Sequence, residues 1–143
     1  MSNDQSNFHE IRQINVFRAP IQKVWSAVAT AEGLAAWFMP NDFKPIVGHS
    51  FHLDAGPFGH SPCTVTEVEP LNRLSFNWGK DWTLTFKLNA VSDNETECIL
   101  IHGGWDEAKV TEFGQSHTQI RGNMSQGWIG LMKKLGGMVE EGQ

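Results

Sequence analysis

Trp82-Thr83-Leu84-Thr85-Phe86-Lys87-Leu88-Asn89-Ala90 is the stretch that decides the fold. Successive side chains of a strand point to opposite faces, so Trp82, Leu84, Phe86, Leu88 and Ala90 share one side and Thr83, Thr85, Lys87 and Asn89 the other. One buried and one wet face mark an antiparallel sheet. Leu74, Phe76 and Trp78 repeat the pattern before this strand, and Cys98, Leu100 and His102 repeat it after. The turn residues Gly79-Lys80-Asp81 and Ser92-Asp93-Asn94 lie between. Two further strand-like runs come earlier, Ile46 to Leu53 and Cys63 to Glu69, separated by Asp54-Ala55-Gly56-Pro57 and closed by Pro70-Leu71-Asn72. Together these runs, the last spanning Thr96 to His102, form a meander.

Upstream, Phe8 to Phe17 is strand-like, but Ile11, Ile14 and Val16 do not keep one parity, which predicts a bulge or a twisted edge. Pro20 is placed to open a helix carrying Ile21, Val24, Trp25 and Val28 on one face. Thr30 is placed to cap a second helix through Leu34, Trp37 and Phe38, which Pro40 with Asn41-Asp42 stops. Downstream, His117, Ile120, Met124, Trp128, Leu131, Leu135 and Met138 recur at helical spacing, with Arg121, Ser125, Lys133 and Lys134 elsewhere. This is a long terminal helix. Its Gly122, Gly127, Gly130, Gly136 and Gly137 are poor helix formers, each costing about 1 kcal/mol against Ala. They allow close approach to a partner or a mobile lid, or, at Gly136-Gly137, fraying.

The chain has 143 residues, 40% hydrophobic and 19% charged, with a net charge of −5. That length suits one core, so a single domain over residues 1–143 is expected, with residues 1–7 a disordered tail. An acidic chain repels a phosphate backbone, which argues against nucleic acid as a partner. No apolar run approaches the ~20 residues needed to span a bilayer, and the polar start lacks a secretory pattern, so the expected compartment is the cytoplasm. Cys63 and Cys98 are then reduced, buried thiols on strands.

A strand, two short helices, a five-stranded meander and one long helix make an α+β helix-grip layout. The motifs Ala19-Pro20-Ile21-Gln22-Lys23-Val24-Trp25, Trp37-Phe38-Met39-Pro40, Val47-Gly48-His49-Ser50-Phe51, Glu67 to Phe76 and Gly127-Trp128 resemble those of the SRPBCC superfamily, which includes START-like and birch-pollen-allergen-like proteins. The nearest resemblance is to the branch related to the carboxy-terminal domain of the activator of the heat-shock-protein-90 ATPase. It runs over about residues 8 to 136. The resemblance implies a cavity between sheet and terminal helix that takes lipids, polyketides or flavonoid-like molecules. It also implies a chaperone-associated module as an alternative, less favoured because the chain has no room for the activator's additional domain.

Six tryptophans and nine phenylalanines give the inner face a large aromatic load. The expected ligand-binding side chains are Phe38, Phe51, Val65, Phe76, Trp78, Trp82, Leu84, Phe86, Leu100, His102, Met124, Trp128 and Leu131; the alternative is that they are plain core. His102 shares the parity of Cys98 and Leu100 and so should face inward, to orient a ligand oxygen or, in a cyclase- or hydratase-type enzyme, to move protons with His117. The other reading of His102 is a histidine satisfied by a backbone group at the sheet end. His49 and His52 fall on opposite strand faces and make a poor metal pair; neither a metal site nor an organic cofactor is expected. His60 sits in a Gly/Pro loop. Glu67 or Glu69 should pair with Arg73 across the turn, and Asp106-Glu107 and Glu112 should suit the amino end of the last helix. No nucleophile elbow or phosphate-binding loop is present.

Overall fold

The computed structural model describes residues 10–54, 59–106, 108–110 and 114–140. The amino-terminal tail, Phe8, Ala55-Gly56-Pro57, Glu107 and Glu112 lie outside the described residues. The elements are β1 (Ile11–Phe17), α1 (Ile21–Val28), α2 (Ala31–Trp37), β2 (Ser50–Asp54), β3 (His60–Glu69), β4 (Arg73–Trp78), β5 (Trp82–Ser92), β6 (Glu95–Gly103) and α3 (His117–Glu140). All six strands form one antiparallel sheet in the order β1-β6-β5-β4-β3-β2. The fold is a helix grip. The first two strands occupy opposite edges, so the α1–α2 segment carries the chain across the sheet, a span of about 24 Å at the usual strand spacing.

Register explains the inner face. Leu84 opposes Phe76 and His102, Phe86 opposes Leu74 and Leu100, and Trp78 opposes Trp82. In β1 the pairing with β6 runs without a shift, so the mixed parity is no bulge. Ile11 and Phe17 are buried with half-buried Gln13 and Asn15 between them, while Ile14 and Val16 face solvent on an edge strand. Bulges occur instead between Val65 and Glu67 and between Ala90 and Ser92. Ala90, at the end of the inner row, is exposed beyond the packed layer. The strand expected from Ile46 starts only at Ser50: Gly48, at φ +91°, turns the chain, leaving Ile46 and Val47 exposed.

The helices obey their caps. Pro20 precedes α1, and its carbonyl accepts from the backbone N–H groups of Lys23 and Val24. Thr30 Oγ1 accepts from the Gly33 N–H at 2.9 Å, and the Trp37 indole donates to the Ala27 carbonyl at 2.8 Å, fastening α2 to α1. Asn41 Nδ2 donates to the carbonyls of Ala31 and Met39 where α2 ends. At the amino end of α3 the cap is Ser116, whose Oγ accepts from the Gln119 N–H, rather than an acid; Asp106 instead closes a local turn with the Ala108 N–H. α3 does not fray at its glycine pair but runs to Glu140, because Gly136 packs directly on the buried Phe17 ring. The Glu67–Arg73 pair forms at 3.4 Å, with Glu67 also accepting from Ser75 Oγ. Cys63 and Cys98 are buried and form no disulfide, and burial pushes the Cys98 thiol pKa up to about 12. None of the described helices is long and apolar enough to cross a membrane.

The glycines of α3 separate into two kinds. A Cβ on Gly122, Gly127 or Gly130 meets open space, whereas on Gly136 it comes within 3.0 Å of Phe17 Cε1. Gly127→Ala is expected to raise the unfolding free energy by about 0.5–1 kcal/mol, as helix propensity dictates. Gly136→Ala should lower it, because the added methyl presses on the buried Phe17 ring. Urea midpoints of the two variants check both signs.

Candidate functional site

Four tryptophans gather at one end of the inner face, around His102 on β6. Trp78 stacks on the imidazole at 5.2 Å, Trp82 meets it edge-on at 5.0 Å, and Trp105 lies 4.6 Å away. Trp128 reaches it from α3, at 5.9 Å between centroids. The indole Nε1–H of Trp128 donates to His102 Nδ1 at 2.9 Å, and that of Trp105 donates to the His102 carbonyl at 2.9 Å. The partner of the His102 ring is thus a side chain on α3 rather than a backbone group.

An indole nitrogen only donates, so Nδ1 is the acceptor and the ring proton sits on Nε2. Burial, reinforced by the positive charge of Arg121, pushes the His102 pKa down to about 3, so the ring stays neutral at physiological pH. His102 Nε2 is buried without a hydrogen-bond partner, as are Trp78 Nε1 and Trp82 Nε1. Each such donor withheld from water costs about 1–3 kcal/mol.

His117, the first residue of α3, is also fully buried, but it is built into a clasp. Its Nδ1 accepts from the Asp106 backbone N–H at 3.1 Å, and its Nε2 faces Asp81 Oδ2 at 3.6 Å. Asp81 Oδ1 takes the Lys109 ammonium at 3.1 Å. Gly104, at φ +90°, lets the same loop press against the β4–β5 turn; a Cβ there would collide with the Asp81 carbonyl. His117 therefore pins the loop and holds no free lone pair toward His102.

The expected site residues divide into two groups. Phe38, half-buried at the end of α2, touches Trp37, Trp78 and Trp128 at 5.2, 5.6 and 5.3 Å, which joins it to Trp82 and His102 at the aromatic end. Phe51 and Phe76 pack at 5.1 Å, with Phe43 on Phe51, nearer the β2 edge and together with buried Val65. Leu84, Phe86 and Leu100 are fully buried between them, and Met124 and Leu131 are half-buried on α3 against this core. Arg121 and Ser125, expected off the buried stripe, are half-buried, whereas Lys133 and Lys134 are exposed.

Trp105 and Asp81 were not anticipated from the sequence. Trp105 sits in a loop with no period to reveal it. Arg121, by contrast, lies four residues after His117 and seven before Trp128, helical spacings that place it on their side.

Two surface grooves lie elsewhere. One, of about 260 Å³, is lined by Pro40, Asn41, Asp42, His52, Asp54 and His60. There the His52 N–H donates to Asp42 at 2.7 Å and holds that carboxyl below its usual range. The other, of about 340 Å³, lies between the first two helices and the end of α3, against Lys23, Gly33 and Met138. Among the described residues, no group of three or more His, Cys, Asp or Glu is placed to hold a metal ion.

The buried His102 makes folding pH-dependent in one direction. Its pKa is about 3 in the folded chain against 6.5 for a free histidine. Between those values the unfolded chain takes up a proton that the folded chain refuses. The contribution is complete above pH ~6.5 and is lost as pH falls toward ~3, by up to about 1.4 kcal/mol per unit. His102→Gln should flatten this acid limb in denaturant titrations at pH 7, 6, 5 and 4. Parallel curves for the two proteins would show that His102 does not carry it.

A family model described as Activator of Hsp90 ATPase homolog 1-like protein matches residues 18–140. Protein BH1534 of Bacillus halodurans is 41% identical, the match covering 94% of this chain and 99% of that one with a TM-score of 0.83. DynU16, from the dynemicin biosynthetic locus, is 21% identical over 96% of this chain and 49% of its own, with a TM-score of 0.76. The Aha1 dimer from Colwellia psychrerythraea is 19% identical, covering 95% of this chain and 99% of that one, with a TM-score of 0.75. The last two likenesses concern the fold alone. No curated protein matches the chain. By the extent of the family match and by its identity to BH1534, the chain belongs to the family of Activator of Hsp90 ATPase homolog 1-like proteins.

Proposed function

We propose that this protein, acting as a single cytoplasmic domain, binds a small, flat, mostly apolar molecule of the lipid, polyketide or flavonoid kind. The site is the aromatic end of the inner face, under α3, with no metal or organic cofactor taking part. One observation carries the reading: three contacting rings, Trp78, Trp82 and His102, each hold a buried N–H with no partner. A face made only for packing gains nothing from such donors, whereas a binding face needs a few polar groups set in apolar walls. The half-buried Phe38, Trp82, Met124 and Leu131 supply movable walls, since a thioether adapts and an aromatic ring swings about two bonds.

The same geometry disfavours the cyclase or hydratase alternative. A general base needs a free lone pair; in His102 Nδ1 already accepts from Trp128, and Nε2 carries the proton. With its pKa near 3, the ring is a poor proton carrier at neutral pH and a good fixed donor. A chaperone partner, which the family description brings to mind, would leave the aromatic end indifferent to small molecules.

The test is a thermal-shift panel of fatty acids, sterols, polyketides and flavonoids with tryptophan fluorescence read in parallel. A ligand at 100 times its dissociation constant adds about 2.7 kcal/mol, so melting should rise by roughly 5 °C or more, with quenching. Phe38→Ala, which removes a wall from Trp78 and Trp128, should weaken the best hit severalfold. A flat panel, together with capture of a chaperone, would replace the reading with the interaction module.

A further inference from the structure

The three unpartnered donors say more about the occupant than that it is apolar. Trp78, Trp82 and His102 touch one another, with centroids 5.2, 5.2 and 5.0 Å apart. Indole nitrogens never accept, and the Trp128 hydrogen bond fixes the His102 proton on Nε2, so all three free positions are donors. Donors cannot satisfy one another. The nearby Asp81 carboxylate takes Lys109 at 3.1 Å through Oδ1, while its Oδ2, buried without a hydrogen-bond partner, lies 3.6 Å from His117 Nε2. The positive charge of Arg121 also bears on His102 and disfavours a second proton on its ring.

We infer that the ligand carries a hydrogen-bond acceptor oxygen without a proton of its own, a ketone-type carbonyl, and seats it against the N–H groups of Trp78, Trp82 and His102. This rests on the reading of the aromatic end as a binding site and names the polar end of its ligand. The carbonyl accepts from at least one of the three donors and has two lone pairs with which to engage two. A hydrocarbon of the same shape offers them no acceptor, and a hydroxyl in its place brings a proton that none of these three donors can accept.

The probes are fluorenone and fluorene, flat tricyclic molecules of nearly equal size that differ by one carbonyl oxygen, with fluorenol as a third. Affinities come from tryptophan quenching, and the indole N–H resonances are followed by NMR, assigned with Trp78→Phe and Trp82→Phe. Fluorenone is expected to bind about tenfold more tightly than fluorene, the yield of one well-made buried hydrogen bond. Fluorenol should fall below fluorenone. At least one of the Trp78 and Trp82 N–H resonances should move downfield with the ketone and not with the hydrocarbon. In Trp78→Phe the ketone-to-hydrocarbon ratio should drop toward one. Equal affinities with unmoved N–H resonances would overturn the inference and leave the apolar site standing, the donors then resting on ring faces or on a water molecule. Failure of all three probes to bind in the wild-type protein would remove the apolar site and the inference together.

Discussion

The hydrogen bond from Trp128 to His102 sets the terms for the aromatic end of the molecule. It ties the terminal helix to β6 by a polar contact inside an otherwise apolar layer, and it decides where the imidazole proton sits. That single assignment turns His102 from an acid–base candidate into a fixed donor. Burial then holds the ring neutral, and the surrounding indoles fill the volume that charge and its hydration would need. The roles available to Trp78, Trp82 and His117 are constrained in turn, since no ring in the cluster is left as an acceptor facing the others.

Two opposing contributions meet in this cluster. Packed aromatic pairs add about 0.5–1.5 kcal/mol each beyond their buried area, and the ring contacts around His102 are numerous. Each unpartnered N–H works the other way by a similar or larger amount. The area buried by Trp128 and its neighbours outweighs that cost, so the fold tolerates the unpartnered donors, although packing alone makes no use of the indole N–H groups of Trp78 and Trp82.

Much of this architecture was legible in the sequence because it rests on period. The alternation through Leu84, Phe86 and Leu88 placed β5, and the same parity brought His102 inward. Thr30 and Pro20 set the short helices through local chemistry that needs no tertiary information. What escaped depends on contacts between distant segments. Asn15 and Gln13 face inward against their polarity because β1 is held in register by β6. Ile46 and Val47 read as strand by composition but are turned out by Gly48 and the loop that follows α2. The aromatic end was visible as a set of residues, yet its hydrogen-bond directions were not: Trp105 comes from an aperiodic loop, and nothing local announces that Trp128 donates to a histidine twenty-six residues earlier.

The terminal helix shows how these levels combine. Its sequence is a poor helix by propensity, with several glycines whose outer sides meet only open space. Helices of that kind persist through tertiary packing rather than intrinsic preference. The packing of α3 is uneven. From Trp128 onward, Met132, Leu135, Gly136 and Val139 bury one side continuously, and Glu140 accepts from the Arg18 N–H. Between His117 and Trp128 no residue is fully buried; Ile120, Arg121, Met124 and Ser125 are all half-buried. The carboxy-terminal half is therefore fastened by more apolar area, while the amino-terminal half adds to the half-buried Ile120 and Met124 two polar fixtures, the His117 clasp and the Trp128–His102 bond. Directional contacts of that sort release over a small displacement, whereas buried area is lost only gradually as surfaces part. Local opening is accordingly cheapest at the amino-terminal end of the helix, beside the unpartnered donors.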